Sequence, residues 1–426
     1  MKTRCASSWW CLAAALLAWP AQAEDWPQFR GIHRDGSWEI HATLPAFPGG
    51  GPPVLWRVPV GRGFASAAVA DGRVFVPDVE LNKPAAKERL LCLDEATGKQ
   101  LWAHDYDVFW PDWAFNIENG CGPIPTPIIE TGKVYVVGTS GHVHCWEAST
   151  GAMIWANDLR KLHKIRDLDC RASPLIEGNL LICVPGDASG ACVVALDKAT
   201  GKEVWKALDE PLINSSPIIV TAAGRRQLIL WTGQSVSSLN PQTGEVFWHE
   251  RLITSGNDGT STPVVQGDLL LVGGLMMRLS ADKPGASILW PDTKAVAKRV
   301  LSNTSTALMR DGCVYSCRGK GELVCLEAAT GRQLWQADHI TEPKKGASLQ
   351  LTLAASQVLL FSDEGDLFLS TLTPEGYHET SRAHLLDPTF PFEGKKRVYA
   401  LPSFADGRIF VRSDEEIVCA LLAGKP

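Results

Sequence analysis

No two cysteines are adjacent in the 426 residues, and no Cys-x-x-Cys-His sequence occurs. A covalently attached haem, and with it built-in electron transfer, is therefore not indicated. Gly-x-Ser-x-Gly and His-Glu-x-x-His are also missing, which removes the nucleophile-elbow hydrolases and the helical zinc proteases. Gly61 opens "GRGFAS", part of a phosphate loop, without the third glycine or a following helix. Positive charge is in deficit: 41 Lys and Arg face 47 Asp and Glu, a net −6. Such a balance argues against a general nucleic-acid binder. Beyond residue 23 there is no apolar run long enough to span a membrane. His142 and His144 stand two apart, on one side of a strand. With no third ligand nearby in sequence, a solvated strand face is the expected reading rather than a metal site.

Residues 1–23 have a basic start (Lys2, Arg4), an apolar stretch from Trp10 to Trp19, and Ala21-Gln22-Ala23 as a small-residue cleavage site. This predicts a signal peptide and a periplasmic or secreted protein beginning at Glu24, where a lipoprotein would carry a cysteine. Removing Lys2 and Arg4 leaves 39 − 47 = −8. Ten of the twelve cysteines lie beyond this segment. Cys92, Cys145, Cys325 and Cys419 fall at equivalent strand positions, where a thiol acts as a small hydrophobe. Cys183 and Cys192 flank "VPGDASGA" and would form a cross-strand disulfide only if the register suited it.

What the chain has in abundance is one repeated phrase. "LLCLDEATGKQLW" (90–102) reads as a strand of period two, a Thr-Gly turn, and a second strand ending in an indole. It returns as "CWEASTGAMIW" (145–155), "ALDKATGKEVW" (195–205), "SLNPQTGEVFW" (238–248), "LSADKPGASILW" (279–290) and "CLEAATGRQLW" (325–335). A degenerate copy, "LSTLTPEGYHET", has Thr380 in place of tryptophan, and Trp56 in "VLWRVPV" ends a copy without a first half. The anchors at Trp56, Trp102, Trp155, Trp205, Trp248, Trp290, Trp335 and position 380 are 46, 53, 50, 43, 42, 45 and 45 residues apart. A period of roughly 40–50 residues with turn-rich strands predicts an all-β propeller of four-stranded antiparallel blades.

Each copy is preceded by a small-residue segment ("PTPIIETGK", "SSPIIVTAAG", "STPVVQGD") suited to a crowded inner strand, and by an apolar second strand. Residues 397–422 supply three strands without a fourth, and Val54–Val60 one strand without the other three. Pairing the two ends closes the ring and removes its sheet edges. The count is then eight blades, or seven if the stretch near 380 does not form one. The predicted organisation is a signal peptide (1–23), an extension (24–50) packed across one face by Trp26, Phe29, Trp38 and Phe47, and a propeller (51–426).

The run Ala/Leu-x-Asp-x-x-Thr-Gly-x-x-x-Trp resembles the tryptophan-docking motif of the pyrroloquinoline-quinone (PQQ) repeat superfamily, over Val54 to Leu422. "DWPQFRGIHRDG" is similar to the start of exported bacterial members. The resemblance implies that each indole packs on the turn of its neighbour. It also implies two kinds of relative, quinoprotein dehydrogenases and a non-enzymatic outer-membrane assembly factor, so fold alone does not assign function. In the dehydrogenases a vicinal disulfide covers the quinone, and Glu, Asn and Asp serve Ca²⁺ or act as base. The closest pair beyond the leader here is Cys313 and Cys317.

The long connections between blades emerge on one face. Residues 104–121 carry Phe109, Trp110, Trp113 and Phe115, and residues 157–171 carry Arg160, Lys161, Lys164 and Arg166. Lys298, Arg299, Lys344, Lys345 and Lys395–Arg397 join the same face. Aromatics that stack and basic groups that attract an anion form the candidate ligand face. The expected function is a monomeric, non-catalytic binding or scaffold module for a protein or extracellular glycan, with no confident cofactor. The alternative is an enzyme at the channel mouth, with PQQ and Ca²⁺ as its cofactors.

Overall fold

A computed structural model describes residues 25–119, 122–166, 168, 170–253, 260–292, 294, 300–302, 304–342, 347–392 and 394–424. The signal-peptide segment, Cys121, Lys298, Arg299, Lys344 and Lys345 lie outside these. Eight sheets of four antiparallel strands follow one another as blades. Their inner strands are Ala68–Ala70, Ile128–Glu130, Leu175–Glu177, Ile218–Ala222, Val264–Gln266, Leu308–Arg310, Leu349–Ala354 and Ser403–Ala405, blades 1 to 8 in turn. The stretch around 380 is a full outer strand, Gly376–His384, so the count is eight. In blade 8 the outer strand is Val54–Pro59, paired antiparallel with Glu416–Leu421, as the two incomplete ends predicted.

The chain order defines two faces. The tight turns from inner to second strand and from third to outer strand share one, the turn face. The second-to-third connections and the links between blades share the other, the loop face. Around the loop-face end of the channel, hydroxyls stitch inner strands together. The Thr126 N–H donates to Ser173 Oγ, Ser173 N–H to Ser216 Oγ, Thr262 N–H to Thr306 Oγ1 and Leu349 N–H to Ser305 Oγ, each at 3.0 Å.

Between blades the indoles do the fastening. Nε1 donates to a carbonyl in the next blade's turn from Trp56 (Glu95, 2.9 Å), Trp102 (Ala148, 3.2 Å), Trp155 (Lys198, 3.0 Å), Trp205 (Pro241, 3.1 Å), Trp290 (Ala328, 2.8 Å) and Trp335 (Thr373, 2.8 Å). At Gly244 a Cβ would stand 2.6 Å from the Trp205 ring, and its φ is +75°, so glycine is required twice over. A β-bulge in each outer strand frees the residue before the indole, such as Leu101, to face outward. Cys92, Cys145, Cys325 and Cys419 lie opposite these tryptophans, fully buried and unbonded. Burial pushes the Cys92 thiol up to about 12.

Three expectations need correction. Trp248 does not dock on blade 5 but donates to Gln227 in its own blade at 3.1 Å. The turn it would meet, Ser280 to Gly285, contains Pro284 and stands two residue pairs further from the tryptophan pair (Met276 with Trp290) than in blade 1, and no indole approaches Gly285. In blade 7 the bulge falls at Thr380, so the position equivalent to tryptophan is Ser381, opposite Leu369. Cys183 pairs in register with Val194 rather than Cys192, and both thiols are free.

The extension also differs from its predicted place. Rather than lying across one face, residues 25–38 turn down among the inner strands. Trp26 exchanges two backbone hydrogen bonds with Val69, Ile129 N–H donates to Pro27 O at 2.8 Å, and Ser37–Trp38 pairs parallel with Leu353–Ala354. Trp26 and Trp38 both meet the Phe404 ring at 5.2 Å. Residues beyond Trp38 then cross blade 7 on the way to Val54.

Trp205→Ala removes a buried indole and its hydrogen bond, leaving a void at the joint of blades 3 and 4. We expect a loss of about 3–5 kcal/mol in urea unfolding, against under 1 kcal/mol for Val204→Ala on the exposed side of the same strand. Equal losses would show that the docks do not hold the ring.

Candidate functional site

The loop face is uneven. Blade 1 has strands of ten residues, Arg73–Asn82 and Ala85–Asp94, which rise above the disc as a hairpin. Val79, Ala86, Val108, Trp110, Ala114 and Leu168 form a small core beneath it. Trp110 is therefore structural, 4% exposed, whereas Phe109 and Trp113 are 58% and 48% exposed. Ile117 and Leu162 are exposed on the same pair of connections. The Arg160 guanidinium lies over the Phe109 ring at 5.6 Å, and Lys83 over Phe115 at 5.8 Å. The aromatic and basic connections thus meet as one surface.

Its basic character is lower than sequence implied. Lys161 Nζ is 3.4 Å from Asp158, His163 is paired to Glu203 at 2.6 Å, and Lys395 to Glu342 at 2.9 Å. Arg397 is not a solvated rim residue but a buried partner of Asp363 at 2.6 Å. Lys164 and Arg166 are exposed. Across the mouth, Phe64, Phe390, Phe392 and Tyr399 form an aromatic wall with ring centroids 4.8–6.2 Å apart. Arg412 is buried there and donates to Pro77 O, Gly61 O and Ser413 O.

His142 and His144 are not on a solvated face. With Tyr106, His104 and Trp146 they form a ring stack between blades 1 and 2. His144 lies 4.7 Å from Trp146 and 4.4 Å from Tyr106, and His104 stacks on Trp146 at 5.8 Å. The Tyr106 hydroxyl donates to buried Glu88 at 2.8 Å, and Glu88 also accepts from Thr139 N–H at 3.1 Å. Burial pushes Glu88 above the usual carboxylate range and His144 down to about 4. The signal missed was the alternation Trp-x-His-x-Tyr at 102–106 facing His-x-His-x-Trp at 142–146. A second cluster, Glu210, Ser235, Ser237 and His249, places Ser237 Oγ 3.2 Å from His249 Nδ1. Ser237 is fully buried, so it acts as a structural bracket rather than a nucleophile.

Quinoprotein relatives imply a quinone with Ca²⁺ in the channel. The residues present do not fit them. Among the described residues, no three His, Cys, Asp or Glu side chains gather as a metal site. Near the mouth, Asp78 is held by Arg89 and Asp363 by Arg397, while Asp414 accepts from Gly63 N–H at Oδ1 and keeps Oδ2 buried without a hydrogen-bond partner. The channel itself is filled by residues 25–38. At its loop-face end, Arg34 donates to Pro174 O at 2.8 Å, Pro217 O at 3.1 Å and Ser173 O at 3.5 Å.

The ring stack makes stability depend on pH. His144 has a folded pKa of about 4 against an ordinary 6.5, so the unfolded chain takes up its proton first. Stability is then lost as pH falls from 6.5 toward 4, by up to about 1.4 kcal/mol per pH unit. Glu88, shifted upward, opposes this as pH falls. His144→Phe should lose less Tm than wild type between pH 7 and pH 4.5; an equal loss would rule the stack out as its source.

The comparisons agree with this architecture. The family model described as outer membrane protein assembly factor BamB matches residues 86–290 and 285–371. Quinoprotein alcohol dehydrogenase PedH of Pseudomonas putida is 32% identical over 154 residues, 32% of this chain and 25% of that enzyme. BamB of Yersinia pestis is 25% identical over 248 residues, 53% of this chain and 60% of that protein. The matches thus span between a quarter and three fifths of these relatives' lengths. Among solved structures, BamB of Moraxella catarrhalis superposes with a TM-score of 0.56 at 16% identity, covering 86% of this chain and 99% of that one. The quinohemoprotein alcohol dehydrogenase of Comamonas testosteroni gives 0.66 at 14% identity, covering 95% and 82%. With its repeats, docked indoles and family match in agreement, the chain belongs to the PQQ-repeat propeller family described as outer membrane protein assembly factor BamB.

Proposed function

We propose that this chain is an exported, non-catalytic scaffold that docks a partner protein on its loop face. The observation that carries this is the raised connection of blade 1, which holds Phe109 and Trp113 half-exposed beside Arg160 and next to Leu162. Rigid aromatics on a supported rim, flanked by arginine, have the composition of protein-binding hot spots. A family described as an assembly factor supports the same reading. Export is supported by the basic, apolar and Ala-Gln-Ala order of residues 1–23. Against the dehydrogenase alternative, no three His, Cys, Asp or Glu side chains gather as a metal site among the described residues, and residues 25–38 lie among the inner strands.

Photo-crosslinking residues placed at Phe109 or Trp113, in the cells that make the protein, should yield one discrete protein adduct. The same probe at Val204, 54% exposed on an outer strand, should not. Adducts of equal yield at all three positions would remove the docking surface. In parallel, the purified protein should show no Tm increase with PQQ and Ca²⁺. Stabilisation requiring both, with dye-linked alcohol oxidation, would replace this reading with the enzyme.

A further inference from the structure

We propose that the central channel is a peptide-binding site whose ligand is the chain's own segment, residues 25–48. Inner strands of a propeller leave their axis-facing edges unpaired, and buried backbone groups need partners. The segment supplies them to five blades, at Val69 in blade 1, Ile129 in blade 2, Ser173 and Pro174 in blade 3, Pro217 in blade 4 and Leu353 in blade 7, and it meets blade 8 through the Phe404 ring. Its chemistry is that of a ligand. Two indoles anchor it in the largest apolar cluster of the molecule, and two buried arginines reach carbonyls rather than carboxylates. Arg30 donates to Asp35 O at 2.6 Å and Arg34 to the ends of two inner strands.

The segment also occupies one of the two joints that have no docked indole. Phe47 N–H donates to Ser381 Oγ at 3.0 Å, at the position where the other blades carry tryptophan. Leu44 makes two hydrogen bonds with Gln357, its N–H donating at 2.7 Å and its carbonyl accepting at 3.2 Å. A peptide that packs in the channel and crosses blade 7 therefore joins blades 7 and 8 in place of a dock. The site selects a ligand with tryptophan at two positions and arginine between them, as in "DWPQFRGIHRDGSW".

The full chain allows a direct test. Gly49 and Gly50 are exposed, and neither has a neighbouring heavy atom within 4 Å of a Cβ position. A protease recognition sequence inserted between them lets the segment be cut after folding. The nicked protein is then chased with excess synthetic peptide of residues 24–48, and release is followed by native mass spectrometry. The expected result is retention for hours, with release at least tenfold faster in Arg34→Gln and unchanged in Lys202→Gln. Loss of the segment within minutes from nicked wild type, whether or not the ring then unfolds, overturns the proposal. So does equal retention in Arg34→Gln. If that variant does not fold, Gln357→Ala, which removes only the Leu44 bonds, must speed release at least threefold or the proposal fails.

Discussion

The ring depends on an indole of one blade seated in the glycine turn of the next. A four-stranded blade buries one apolar face against each neighbour, but apolar packing is not directional and would tolerate slippage. The Nε1 hydrogen bond to a single turn carbonyl sets the register of one blade on another. The positive-φ glycine makes the approach sterically feasible. The bulge before each tryptophan is part of the same device, because it turns the indole sideways out of its own sheet. The cysteines beneath four of the docks, those of Trp56, Trp102, Trp155 and Trp335, fill the remaining space as apolar groups, and their thiols stay unbonded.

The eight-blade fold was legible because its determinant is local and repeated: Thr-Gly at a turn and Trp four residues on can be counted. Closure was legible for a similar reason, since two incomplete ends require each other. The exceptions were not. Nothing in "PQTGEVFW" reveals that Trp248 lacks a dock, because the cause lies in the blade 5 hairpin, whose turn stands two residue pairs further out. Ser381 was hidden one residue from Thr380, since a bulge shifts register without leaving a compositional trace.

The loop face was legible in kind but not in detail. Alternation in "DVFWPDW" does not say which ring faces water; the raised hairpin of blade 1 covers Trp110 and leaves Phe109 and Trp113 exposed. Charges read singly as a basic rim turned out to be paired, Lys161 with Asp158 three residues away, and Lys395 and Arg397 with Glu342 and Asp363, partners distant in sequence. Residues 25–38 were the largest surprise, because backbone bonds to strands of blades 1, 2 and 7, with side-chain contacts to three more blades, have no signature in a segment that lacks regular alternation.

The two joints without an indole have a mechanical consequence. They divide the disc into one arc of five blades, 8 and 1 to 4, and another of three, 5 to 7, each continuous in its docks. The joint between blades 7 and 8 is strapped by the N-terminal segment. The joint between blades 4 and 5 is held by apolar packing, with Trp231 lying against Gly273, and by the Lys294–Glu250 ion pair. A chord drawn through these joints is the compliant axis of the molecule. Strain applied at the rim of the loop face, which lies on the larger arc, is carried to that axis rather than spread evenly around the ring.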